Sequence, residues 1–128
     1  MGNGTSIGRV RGLGSAHEGP HHWLMQRITA IGNVLLMVWL LASFLLLPDL
    51  TYSTLTGWLA SPVTATAMAL LVVSLFWHAR LGLQVLIEDY VHEAGSKFAL
   101  LTLLTVLAIG GGAFGVLCVV RLALGGAA

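Results

Sequence analysis

Three long stretches without a charged side chain limit what this chain can become. Residues 28–48, 50–79 and 98–120 contain no Asp, Glu, Lys or Arg. An α-helix rises about 1.5 Å per residue, so about 20 residues cross the hydrocarbon of a bilayer. The first and third gaps each match one crossing. The middle gap is too long for one and divides. Residues 51–62 are rich in Ser, Thr and turn residues and read as a loop or a surface-lying turn, and the apolar run then continues from Val63 to about Ile87. Spanning segments must satisfy their backbone hydrogen bonds internally, and the two-residue alternation of barrel strands is absent, so helices are expected. The expected fold class is an all-α membrane protein with three transmembrane helices, at about 26–48, 62–88 and 97–122. Pro48 marks the end of the first, Pro62 opens the second with Ser61 as its cap, and Ser96 is the expected cap of the third.

Composition excludes the other classes. Of the 128 residues, 57% are hydrophobic and 9% charged, against about 25% charged in soluble domains. So few charges cannot cover a soluble surface, and so apolar a chain is not disordered. The formal net charge of +1, with no basic run, argues against a nucleic-acid partner. The single cysteine, Cys118, allows no internal disulfide and is too few for an iron–sulfur cluster.

Residues 1–22 are polar and Gly-rich and lack the apolar core of a cleavable signal, so the first helix is expected to act as an uncleaved insertion signal. Residues 23–122 form the membrane domain and 123–128 a short tail. Arg9, Arg11, Arg27, Arg80 and Lys97 fall on one side, and Arg121 alone on the other. That bias places the N-terminus and the 88–97 loop in the cytoplasm (or matrix).

This topology gathers the informative polar residues at one leaflet. His78 lies about ten residues, or roughly 15 Å, before the expected end of the second helix. Ionisable groups at such depth face a partner or the bundle interior. Two readings stay open: a ligand to haem iron, with Gly82 one turn on leaving room for a flat macrocycle, or an imidazole donating to a backbone carbonyl of a neighbouring helix. As the one deep histidine, His78 could supply one axial ligand only, and the second would come from another subunit. Arg27, preceded by Trp23, is either an interfacial anchor or a guanidinium fork for a haem propionate or a carbonyl oxygen. Arg80 is expected to snorkel toward the headgroups. Glu88-Asp89-Tyr90 sets two carboxylates beside a phenol, which suits hydrogen bonding to a quinone carbonyl but also fits a solvated helix end. His21, His22 and His92 read as solvated. Gly111 and Gly115 permit close helix packing, and Trp39, Trp58 and Trp77 read as packing or interface residues.

Together, Gln26-Arg27-Ile28-Thr29-Ala30-Ile31, His78-Ala79-Arg80-Leu81-Gly82 and Glu88-Asp89-Tyr90-Val91-His92 resemble the hydrophobic membrane anchor subunits of succinate dehydrogenase, the D-type cytochrome b subunits of respiratory complex II, in their bacterial form. The resemblance covers about residues 20 to 122. It implies three helices packing with a second anchor subunit into a bundle that holds the flavoprotein and iron–sulfur subunits on the bacterial inner membrane. It implies a haem b with one axial histidine from each anchor, and ubiquinone reduction in the respiratory chain and tricarboxylic acid cycle. Carried onto this sequence, it makes His78 the haem ligand and Tyr90 the hydrogen-bond donor to ubiquinone. Asp89 supports that site, and Arg27 lies near the haem propionates or the quinone pocket. Catalysis of succinate oxidation falls to the flavin subunit, with no independent activity in this chain. Two other functions are weighed: a cofactor-free structural adaptor, with His78 as a packing residue, and a small proton-coupled transporter. The transporter needs a deep carboxylate, whereas the carboxylates here lie at span ends.

Overall fold

The computed structural model describes residues 19–125. Four helices follow in order: α1 (Gly19–Leu46), α2 (Tyr52–Leu59), α3 (Pro62–Tyr90) and α4 (Ala94–Ala123). α1, α3 and α4 are each long and apolar enough to cross a membrane. The chain is therefore all-α among its described residues, as its charge gaps require. Residues 1–18, with Arg9 and Arg11 of the charge tally, lie outside the described residues, as do 126–128 of the tail.

The helix ends follow local chemistry. α1 is described from Gly19, and His21 and His22 lie on it. α1 stops at Leu46, two residues before Pro48, whose ring disfavours helical backbone in the residue ahead of it. Pro62 occupies the first turn of α3 behind Ser61. The Ser61 side chain makes no capping hydrogen bond, so the proline alone sets that start. At α4 the expected cap is corrected. Glu93, not Ser96, is the N-cap, and its carboxylate accepts from the backbone N–H groups of Gly95 and Ser96. A carboxylate has two oxygens and full negative charge for the exposed donors, where a serine has one hydroxyl.

α3 is the central helix. It packs against α1 on one side and α4 on another, while α1 and α4 make no backbone contact with each other. The α3–α4 seam depends on missing side chains. A Cβ on Gly115 would come 2.7 Å from Val72 Cγ1, and one on Gly111 would collide with the Phe76 ring. Val72 and Phe76 are one turn apart on α3, so the two glycines accept two successive ridges. At the other leaflet the 49–61 segment is more ordered than a plain loop. Trp58 of α2 stacks on Trp39 at 5.6 Å between ring centres and meets Phe44 edge-on at 5.6 Å. Asp49 organises the approach to α2, accepting from Thr51 N–H (3.0 Å), Thr51 Oγ1 (2.7 Å) and Thr54 Oγ1 (2.6 Å). Few apolar side chains are buried within the chain (Leu59, Leu71, Leu81 and Val119), so most of its apolar surface faces outward.

Candidate functional site

His78 sits half-buried in the middle of α3. Twelve residues separate it from Tyr90 at the helix end, about 18 Å along the axis. Its Nδ1 lies 3.0 Å from the hydroxyl oxygen of Thr29 on α1. That oxygen is also 2.8 Å from the Met25 carbonyl and 3.1 Å from the Gln26 carbonyl of its own helix. One turn before His78, Ser74 donates a longer bond of 3.4 Å to the Thr29 carbonyl. The deep imidazole therefore pins α1 to α3. A Cβ built on Gly82, one turn beyond His78, would meet nothing within 4 Å, so the expected room on that face is present.

The other residues singled out in the sequence do not converge on His78 within this chain. Asp89 falls close to three turns past His78 and shares its face of α3, but at the exposed end of the helix. Tyr90 ends α3 and is 79% exposed. Arg27 stacks over Trp23 with 5.3 Å between guanidinium carbon and ring centre. Two positions from Thr29, it projects from nearly the opposite side of α1. Lys97 of α4 donates to the Glu88 carbonyl at 3.1 Å, a cation on the negative end of the α3 dipole. Gln84 donates to the Glu88 carboxylate at 2.8 Å.

Arg80 departs from the snorkelling expected of it. Its Nε donates to Thr105 Oγ1 of α4 at 3.2 Å, and its guanidinium lies 5.1 Å from the Trp77 ring centre. Thr105 in turn donates to the Leu101 carbonyl at 2.8 Å. A guanidinium held among apolar helices needs acceptors and aromatic faces, and both are within reach here. Arg80 also borders a cleft of about 540 Å³ with His21, His22, Met25, Trp77, Leu81 and Gln84. His22 is half-buried, and its Nε2 is buried without a hydrogen-bond partner among the described residues, which corrects its reading as a solvated side chain. A second cleft, about 430 Å³, opens on the Trp23, Gln26 and Glu88 side of His22. His78, Tyr90 and Arg27 line neither cleft.

Sequence reasoning missed Thr29 and Thr105. Each hydroxyl could be satisfied by its own helix, and the cross-helix bonds span 49 and 25 residues of sequence. The signal that was available is a hydroxyl residue at the same depth as a buried titratable group.

Among the described residues no three His, Cys, Asp or Glu side chains come together as ligands for a bare metal ion.

Comparison with known proteins gives this arrangement a context. The profile of the family described as succinate dehydrogenase/fumarate reductase transmembrane subunit matches residues 1–112. A protein of Rickettsia bellii (strain RML369-C) is 40% identical over 87 residues, covering 68% of this chain and 70% of its own. One of Rickettsia conorii (strain ATCC VR-613 / Malish 7) is 38% identical over 88 residues, covering 68% and 70%. One of Coxiella burnetii (strain RSA 493 / Nine Mile phase I) is 25% identical over 96 residues, covering 75% and 84%. All three bear the name succinate dehydrogenase hydrophobic membrane anchor subunit.

Proposed function

This chain belongs to the succinate dehydrogenase/fumarate reductase transmembrane subunit family, and from that membership we propose that it is the D-type anchor of a succinate:ubiquinone oxidoreductase. It is a multi-pass membrane protein, with three helices long and apolar enough to span. In this reading it holds the flavoprotein and iron–sulfur subunits on a bacterial inner membrane, with its N-terminus cytoplasmic. It packs against a second anchor subunit and shares with it a haem b and the ubiquinone-reduction site. The Lys and Arg bias supports the orientation, and the outward-facing apolar surface supports a helical partner.

The observation that carries the redox part is His78, an imidazole deep in a membrane helix with one nitrogen already engaged by Thr29. The residues present fit one half of a haem site: one nitrogen left over on His78, and open space at Gly82. When bound, haem supplies a one-electron carrier whose potential answers to its axial ligands. His78 would hold it through one imidazole nitrogen, and Arg27, now over Trp23, would be the cation offered to a propionate or to the quinone pocket. Ubiquinone is the substrate at the other end of α3. There the Tyr90 hydroxyl donates a hydrogen bond to a quinone carbonyl oxygen, and that bond strengthens as negative charge grows on the oxygen. Asp89, exposed beside it at the end of α3, supports that site.

Two substitutions in the assembled complex test this. His78→Ala is expected to abolish or loosen a reducible b-type haem, seen as loss of the Soret band. Tyr90→Phe is expected to slow quinone reduction at least tenfold while electron transfer from succinate to a soluble dye is unchanged. An intact haem spectrum in the first variant, or equal loss of both activities in the second, overturns the corresponding assignment. A cofactor-free tether would leave wild-type complex without a Soret band.

A further inference from the structure

We propose that Thr29 is the positioning residue for His78: its hydroxyl accepts from the imidazole Nδ1–H, fixes that tautomer and presents Nε2 as the ligating nitrogen. The inference rests on the haem reading above, since only a ligating imidazole needs its free nitrogen defined.

The Thr29 hydroxyl has one hydrogen to give. Two of its three neighbours, the carbonyl oxygens of Met25 at 2.8 Å and Gln26 at 3.1 Å, can only accept. With that hydrogen given to the Met25 carbonyl, the shortest of the three contacts, His78 Nδ1 at 3.0 Å takes the donor's part. A neutral imidazole carries a single N–H. With that hydrogen on Nδ1, the lone pair lies on Nε2.

The packing holds this arrangement in register. Thr29 is β-branched and has few side-chain rotamers. Its own carbonyl accepts from Ser74, and Gly32, three residues on, faces the same serine, since a Cβ there would lie 3.8 Å from Ser74 Oγ. Ser74 and His78 are successive residues on one face of α3, so α1 cannot slide by a turn without breaking both contacts. An acceptor on the distal N–H of a ligating histidine orients the ring and raises its basicity. A more basic ligand favours the ferric state and lowers the reduction potential.

Redox titration and low-temperature electron paramagnetic resonance of the intact membrane complex test the proposal. Thr29→Val keeps the shape and removes the hydroxyl, and Thr29→Ser keeps the hydroxyl. The valine variant is expected to raise the ferrous-to-ferric ratio at a fixed ambient potential about threefold to tenfold, about 30 to 60 mV for a one-electron couple, and to move the oxidised haem's g values. The serine variant is expected to stay with wild type. Loss of haem from the valine variant with retention in the serine variant also supports the proposal. If the valine variant does not assemble, Thr29→Ala takes its place with the same expectation. An unchanged potential and spectrum without the hydroxyl, in a complex whose haem His78→Ala removes, overturns the role of Thr29 alone. So does a serine variant shifted as far as valine. A wild-type complex with no His78-dependent haem overturns the haem reading and this inference together.

Discussion

Glu93 governs the entry to α4 through its charge. Hydrogen bonds from Ser96, joined by the backbone N–H of Gly95, hold its carboxyl below the usual value of 4.5. Asp49, across the membrane, is held below its usual 3.8 by the Thr54 and Thr51 hydroxyls and the Thr51 backbone N–H. In both, the folded value lies under the unfolded one. Their stabilisation is therefore complete above the ordinary carboxylate range and is lost as the pH falls through the folded value. Glu93→Gln is expected to melt a few degrees below wild type at pH 7 in detergent, with the gap closing as the pH falls below the ordinary carboxylate range. A gap equal at both pH values would show that shape, not charge, makes the cap. At this scale the sequence was informative where one residue type has few uses. An imidazole so deep in an apolar run, or a proline at a helix start, declares itself. Thr29, Thr105 and the Glu93 cap did not, because a threonine can be satisfied within its own helix and a Ser or a Glu near a helix start are competing caps until the backbone turns.

The helices answer to different forces. The three long ones could be read from the spacing of charges, because the bilayer thickness fixes how many uncharged residues a crossing needs. The short α2 could not. Its eight residues, half of them Thr, Ser or Gly, are too few to hold a helix alone. Tertiary contacts hold it: Trp58 packs on Trp39 and Phe44 of α1, Leu59 is buried, and its backbone lies against α3 and α4. The α3–α4 seam yields a contrast within one short run of glycines. Gly115→Val is expected to cost about 1–3 kcal/mol through overpacking against Val72. Gly110→Ala, where an added Cβ meets nothing within 4 Å, is expected to be neutral or slightly stabilising. Thermal melts of the solubilised complex compare the two directly, and equal losses would mean that the seam tolerates bulk.

Taken whole, the described chain leaves most of its large apolar side chains uncovered. α3 touches both neighbours, α1 and α4 stand apart, and large side chains such as Phe98 (73% exposed) and Phe114 (69%) face outward. His78 and Tyr90 sit some 18 Å apart along one helix, and neither lines the clefts beside His22. Only the family resemblance implied a site shared with other subunits, because no local spacing encodes a partner. Expressed alone, the chain is expected to reach the membrane but accumulate poorly. Co-expression with the second anchor is expected to restore its level together with a His78-dependent haem, both measured in isolated membranes. Recovery that requires only the soluble subunits would contradict a shared haem.

The connection from α3 to α4 is only Val91, His92 and Glu93, and Lys97 reaches back across it to the Glu88 carbonyl. Such a joint has no slack. The phenol at its corner therefore takes its position from how the two helices meet, and a change in their angle would swing it with them.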